Sequence, residues 1–379
     1  MRVLLVNYEF KPQCGGAGIA TYNLAKELYK QGVDVDLMFG WDYKFGVPDK
    51  IQGVQQNIIS IKKKSIHESS PLGILQFVFR GVFLINHLTR QNKYDIIMFY
   101  FSIPTGVLKY GIHGRVPYVC SLRGIDVPSP RKDKYMWLRN MLESLNGRII
   151  RNASSVTALS TELQAWFNSV YSNVPVNIIP NGITLDNYTV KREYHTEVVR
   201  FVTVSRLIDC KNIELSMYAM KEVHDIYPSI RLDIIGDGYL REHLQSVIDC
   251  ENMNDYVSLL GYIESESIAS MMRDYDVFIL LTVADSFGQA FIEAMACGLP
   301  VICADVGGPK DIVIDGKTGI MTKANQKESV VEAIEKYIEN PELAHIHGVN
   351  GYNRVKSMYT IERVAKAHIE LFKEICQRT

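Results

Sequence analysis

The chain has 379 residues, 47% of them hydrophobic and 22% charged, with a formal net charge of −1. That balance excludes a disordered or low-complexity chain and suits two domains of ordinary size, each burying its own core. The total charge is near neutral, and no nucleic-acid partner is expected.

Charge is unevenly shared. Residues 1–190 carry 21 Lys and Arg against 13 Asp and Glu, a net of +8, whereas residues 191–379 carry 20 against 29, a net of −9. The first half is thus suited to something anionic, such as a phospholipid surface or a diphosphate-linked acceptor; an incidental surface bias reads equally well. Seven cysteines (14, 120, 210, 250, 297, 303 and 376) are scattered without a CxxC pair. They predict neither disulfides nor structural zinc, and a reducing cytoplasm as the setting. No uncharged apolar run reaches 18 residues, so no transmembrane helix is expected.

In chain order, Arg2-Val3-Leu4-Leu5-Val6 opens a buried strand, Val3–Asn7, and is too short for a signal h-region. After Tyr8 to Cys14 comes Gly15-Gly16-Ala17-Gly18, whose glycines let the backbone approach a phosphate or sugar closely. A dinucleotide fingerprint is the rival reading, but it needs a tight turn and a third glycine. A helix at about 17–31 and a strand Val35–Phe39 follow. Lys62-Lys63-Lys64 and Pro71 lead into an apolar helix at about 72–90, with Phe77, Phe79, Phe83 and Leu84 around Arg80. It reads either as a surface helix dipping into a bilayer or as a core helix beside a solvated basic loop. Strands Ile96–Phe101, Tyr118–Leu122 and Ser155–Ala158, with a helix at about 134–149, complete this half. Arg123-Gly124-Ile125-Asp126 ends the second of those strands. Asp126 reads either as a group that orients acceptor or sugar or as a helix N-cap.

A polar stretch at Asp186–Val198 breaks the pattern, which then restarts. Strands Phe201–Ser205, Leu232–Gly236, Val257–Leu260, Val277–Leu281 and Val301–Ala304 alternate with helices at about 212–227, 239–251, 265–273 and 290–297. The fold class is therefore α/β: two Rossmann-like, doubly wound domains, 1–186 and 187–358, facing a cleft. Ligands are expected at the carboxyl ends of their strands. Arg206 and Lys211 follow one strand five residues apart, suited to a diphosphate or to a solvated loop. The turn Ser286-Phe287-Gly288-Gln289 opens the helix from Ala290, leaving backbone N–H groups where the dipole favours an anion. Asp285 precedes the turn, and Glu293 lies eight residues on among Phe291, Ile292, Ala294 and Met295. Two DxD-like strings, Asp34-Val35-Asp36 and Asp274-Tyr275-Asp276, invite a metal reading. The cations and the helix terminus already take the phosphate-neutralising duty, so no metal is expected.

The stretch from Asp285 to Lys310 resembles the carboxylate-x7-carboxylate signature of retaining GT-B glycosyltransferases of family 4. The likeness continues, in the family's order, through Pro180-Asn181-Gly182-Ile183, Ser205-Arg206-Leu207 with Lys211, Gly236-Asp237-Gly238, Gly261-Tyr262-Ile263 and Gly307-Gly308. Gly15-Gly16 and Arg123-Gly124-Ile125-Asp126 extend it more weakly into the first half. The resemblance implies a hexosyl group moved from a nucleotide diphosphate sugar, with uridine favoured, to a glycan or lipid-linked acceptor. No cofactor and no side-chain nucleophile are implied. Arg206 and Lys211 would grip the diphosphate, as would the backbone of Ser286 to Gln289 and Ala290. Gly261 to Ile263, with Gly236 nearby, would hold the base, Glu293 the ribose, and Asp285 the donor sugar. Gly16 would approach donor phosphates and acceptor, and a helix at about 359–378 would cross back onto the first domain. Two departures matter: Asp285 stands where Glu is usual, which bears on sugar identity, and Arg123 stands where many relatives carry His. The alternatives are an epimerase or phosphorylase on the same architecture, or a non-catalytic nucleotide-sugar-binding subunit. A cytoplasmic protein, peripheral at the inner face of the membrane, is the expected location.

Overall fold

Strand β1 (Arg2–Asn7) is buried from Val3 onward, as a strand covered by helices on both faces of a parallel sheet must be. A computed structural model describes residues 1–65, 68–124, 126–127, 136–188, 190 and 198–378. The chain divides into two compact units, Met1–Gly182 with Ile361–Thr379, and Ile183–Thr360.

In the first unit, β2 (Asp34–Trp41), β3 (Gln55–Ser60), β6 (Ile96–Tyr100), β7 (Tyr118–Ser121), β8 (Ser155–Ala158) and β9 (Val176–Ile178) join β1 in a parallel sheet. Its order is β3-β2-β1-β6-β7-β8-β9. A small antiparallel ribbon pairs β4 (Lys63–Ser65) with β5 (Glu68–Ser69). Helices α1 (Gly16–Lys30), α2 (Pro71–Gln91), α3 (Met136–Arg151) and α4 (Thr161–Val170) come from this stretch. The terminal helix α12 (Ile361–Arg378) packs beside α1, adding Val364, Ala365, Phe372 and Ile375 to the core that holds Val3, Leu5 and Leu24. Gly182 permits the junction: a Cβ there would meet Ile361 Cα at 2.8 Å.

The second unit has its own parallel sheet, ordered β12-β11-β10-β13-β14-β15. Its strands are β10 (Val199–Val204), β11 (Ile230–Ile235), β12 (Val257–Gly261), β13 (Val277–Leu280), β14 (Val301–Ala304) and β15 (Gly319–Thr322). Helices α5 (Ile213–His224), α6 (Arg241–Cys250), α7 (Ser265–Met271), α8 (Gln289–Ala296), α9 (Pro309–Ile312), α10 (Lys327–Glu339) and α11 (Pro341–Met358) surround it. Each sheet reverses its winding once, at β1/β6 and at β10/β13. Such switch points leave a crevice at the carboxyl ends.

Besides the short β4/β5 ribbon, three strands went unread in the sequence. β3, β9 and β15 are sheet edges, and their partly exposed, partly polar residues lack the continuous apolar run of a central strand. Helices α4, α9, α10 and α11 also went unassigned. One expectation needs correction: α2 does have the length and apolar composition of a membrane span. One side of it is nevertheless packed into the unit, with Gly73, Phe77, Gly81, Ile85 and Leu88 buried. Ile125 and most of the predicted linker at 186–198 lie outside the described residues.

Candidate active site

β10 ends at Val204, and the following loop is anchored by Leu207, which is fully buried. Arg206, its neighbour, is left exposed, and its guanidinium has no hydrogen bond or ion pair among the described residues. The exits of β10, β11 and β12 are laced by backbone bonds, Leu207 N–H to the Asp237 carbonyl (2.9 Å) and Gly236 N–H to the Gly261 carbonyl (2.8 Å). Only glycine fits at 236, where φ is +140° and a Cβ would lie 1.8 Å from the Ser205 carbonyl oxygen. Ile263 is half-buried in the exposed loop after β12.

Across the switch point the exits of β10 and β13 are tied through one carbonyl. Cys210 O accepts from Thr282 Oγ1 (2.8 Å) and from Val283 N–H (2.9 Å). This brings Lys211 Nζ within 2.6 Å of Asp285 Oδ2, with both side chains largely shielded from solvent. Thr282, wholly buried, belongs to no motif, so nothing in the sequence marked it as the residue that sets this register.

Asp285 also shapes the turn that follows. Its Oδ1 accepts from Phe287 N–H (3.1 Å), and its carbonyl accepts from Gly308 N–H (2.8 Å). Gly308 lies so close beneath the turn that a Cβ would meet Phe287 Cα, N and O at 2.5–2.6 Å. Gly288, with φ +103°, starts α8 from the left-handed region. The N–H groups of Gly288, Gln289 and Ala290 have no acceptor among the described residues. They are the orphan donors of a helix N-terminus and can bind an anion. Phe287 corrects the expectation: its N–H is taken by Asp285, and its ring is buried against Tyr359, centroids 6.0 Å apart. Ser286 is half-buried in the same turn.

One turn into α8, the Glu293 carboxylate accepts one hydrogen bond among the described residues, from Gln289 Nε2 at 3.1 Å. Burial pushes its carboxyl up to about 7, against an ordinary 4.5. A carboxylate so short of donors suits a ligand that brings hydroxyls.

In the first unit the α1 N-terminus is already capped. Glu9 Oε2 accepts from Gly15 N–H (3.3 Å) and Oε1 from Gly18 N–H (3.2 Å). Gly18 therefore belongs to the helix and not to a loop, while Gly16 is exposed, with nothing within 4 Å of a Cβ. Arg123 stacks over the Tyr100 ring at 4.4 Å and donates to Asn181 Oδ1 at 2.6 Å. Burial and, to a lesser degree, the Arg123 charge push His368 down to about 4 and so keep it neutral.

Asp126 corrects the N-cap reading. It is buried, with Oδ1 accepting from Arg123 and Gly124 N–H (2.9 and 3.0 Å) and Oδ2 from Ser102 N–H (3.1 Å). Burial outweighs these bonds and raises its pKa. The carboxylate brackets two strand exits, and among the described residues it caps no helix N-terminus. The two DxD-like strings sit at the amino ends of strands, away from the ligand end. Asp36 pairs with Arg2 (2.9 Å), and Asp276 accepts from Arg200 N–H (2.8 Å).

Residues 14–187 match the family model described as Glycosyltransferase Family 4, and residues 190–354 the model described as Glycosyl transferases group 1. Among curated proteins, a phosphatidylinositol N-acetylglucosaminyltransferase component of Arabidopsis thaliana is 25% identical over 380 residues, covering 97% of this chain and 80% of that one. Sucrose-phosphate synthase from Thermosynechococcus elongatus superposes with a TM-score of 0.85 at 20% identity, over 100% of both chains. HepE of Anabaena, solved in complex with UDP-glucose, superposes with 0.75 at 20% identity, over 99% of this chain and 100% of that one. At these identities the structures establish a shared fold.

Proposed function

Because the chain belongs to the GT-B glycosyltransferases of family 4, glycosyl transferases group 1, we propose that it is a retaining, metal-independent hexosyltransferase that uses a UDP-sugar. Its acceptor is a hydroxyl of a glycan or lipid-linked molecule, in cytoplasmic synthesis of a cell-surface polysaccharide or glycoconjugate. The observation that carries this reading is the meeting of Lys211 and Asp285 at the β10/β13 switch point, beside the unsatisfied N–H groups that open α8. The UDP-glucose in the HepE complex and the phosphatidylinositol acceptor in the plant relative's name support the donor and acceptor classes.

On this reading Lys211, Arg206 and the α8 N-terminus hold the diphosphate and stabilise its charge as it departs. That supply of positive charge is the reason to expect no metal requirement. Glu293 accepts from the ribose hydroxyls, the loop at Gly261 to Ile263 flanks the base, and Asp285 faces the donor sugar. The acceptor oxygen bonds to the anomeric carbon as the bond from that carbon to the diphosphate oxygen breaks. The acceptor proton passes to a phosphate oxygen of the leaving diphosphate, so no side-chain base is needed. The test is calorimetric titration of the protein with UDP in chelator, followed by NMR of the product from UDP-sugar and acceptor. Uptake without metal and an axial product bond from an axial donor are expected. Absence of uptake of any nucleoside diphosphate would overturn the reading.

A further inference from the structure

Helix α2 carries a line of large apolar side chains on its outer side. Leu72, Leu75, Phe79 and Phe83 are 54%, 66%, 68% and 64% exposed. Their spacing puts them within one narrow arc over three turns, and Phe79 and Phe83 meet edge to face at 5.2 Å. The opposite side of α2 belongs to the unit's interior: Gly81 sits against Leu108 of the short 3-10 helix Thr105–Gly111, where a Cβ would lie 2.7 Å from Leu108 Cδ2. A transmembrane placement would pull that side out of its core, so α2 presents a face and does not cross.

Cations frame the line. Lys62 is bound to the start of α2 through its backbone, its N–H to Gln76 Oε1 (2.9 Å) and its carbonyl to Ser70 Oγ (2.6 Å), while its side chain is exposed. Arg80 and Arg90 are exposed on α2 itself, which has no acidic residue along its 21 positions. Beyond the line, Asn86 Nδ2 donates to the Gly111 carbonyl (2.9 Å), beside Tyr110, which is 56% exposed. Apolar and aromatic side chains along one helix face, with cations at both ends and Arg80, bound to the Ser60 carbonyl, at one side, and an aromatic hydroxyl at the margin, match the layering of a lipid interface.

We infer that the outer face of α2 docks on an anionic bilayer, with Leu72, Leu75, Phe79 and Phe83 in the acyl boundary and Lys62, Arg80 and Arg90 against the headgroup phosphates. The choice of a bilayer over a protein partner rests on charge complementarity: the line has cations around it and no acid on its own helix, whereas a second copy of the chain would bring the same cations against them. This surface does not depend on the transfer reaction.

Cosedimentation of the full chain with vesicles of phosphatidylcholine, alone and mixed with phosphatidylglycerol, tests it. Binding to the mixed vesicles is expected to exceed binding to the neutral ones by about tenfold and to weaken with salt. Phe79→Ser with Phe83→Ser should lower binding about tenfold or more, and Lys62→Glu with Arg90→Glu should erase the preference for anionic lipid. Melting curves followed by circular dichroism should be unchanged, since all four positions are exposed. Failure of the parent to bind, or equal binding by the Phe79/Phe83 variant, would overturn the inference. So would a dimer in ultracentrifugation that the same variant dissolves, which would assign the face to a second copy. UDP uptake by the same variants is measured separately, so loss of one reading leaves the other standing.

Discussion

Lys211 Nζ stands 2.6 Å from Asp285 Oδ2, although 74 residues separate them in the chain. The parallel sheet makes the meeting possible: β10 and β13 are neighbours, and both exits are held by the Cys210 carbonyl. The pair balances two shielded charges in the free protein, and a diphosphate would compete for the ammonium.

That competition separates binding from turnover. Lys211→Met is expected to weaken UDP at least tenfold and to lower transfer by about a hundredfold or more. Asp285→Asn removes a negative charge beside the phosphates and should tighten UDP several-fold, while transfer falls about a hundredfold through loss of sugar contacts. Calorimetry and initial rates on both variants check the opposite signs.

Glu293 predicts a pH dependence. Its folded pKa near 7 exceeds the ordinary 4.5, so the associated stability is present below 4.5 and is lost as pH rises towards 7, by about 3 kcal/mol at most. Glu293→Gln should therefore raise the melting temperature of the free protein at neutral pH and above. Ribose hydroxyls favour the charged form, so UDP uptake by the parent should release protons at about pH 6. The variant should bind more weakly and release none. Titrations in buffers of different protonation enthalpy read the proton count.

Gly308→Ala drives a Cβ into the backbone of Phe287. The 285–288 turn must shift, at a cost of about 1–3 kcal/mol. Transfer is expected to fall at least tenfold with a melting temperature lower by a few degrees, whereas Gly16→Ala, in open space, should leave the melt unchanged. Thermal melts and rates on both variants check it.

Asp126→Ala leaves three backbone donors unsatisfied and is expected to destabilise by about 1–3 kcal/mol or more. UDP affinity of the folded variant should match the parent if the residue only brackets the loops. Urea unfolding and calorimetry distinguish this from a role at the acceptor.

Much of the architecture was readable locally, because central parallel strands are continuous apolar runs and their exits carry glycines and charges that fit no core. Asp285, Gly288 and Glu293 could be singled out on those grounds alone. The edge strand Val176–Ile178 could not, since its half-exposed residues lose the periodic signal.

The sequence by itself determined which residues bear charge, which glycines free the backbone, and where strands alternate with helices, since these depend on neighbours a few positions apart. Tertiary structure alone decided that Lys211 meets Asp285, that Phe287 turns inward while Phe79 and Phe83 turn outward, and that Asp126 spends its carboxylate on its own backbone. Those outcomes depend on which elements lie side by side, and burial and partners at long range are set only when the sheets assemble.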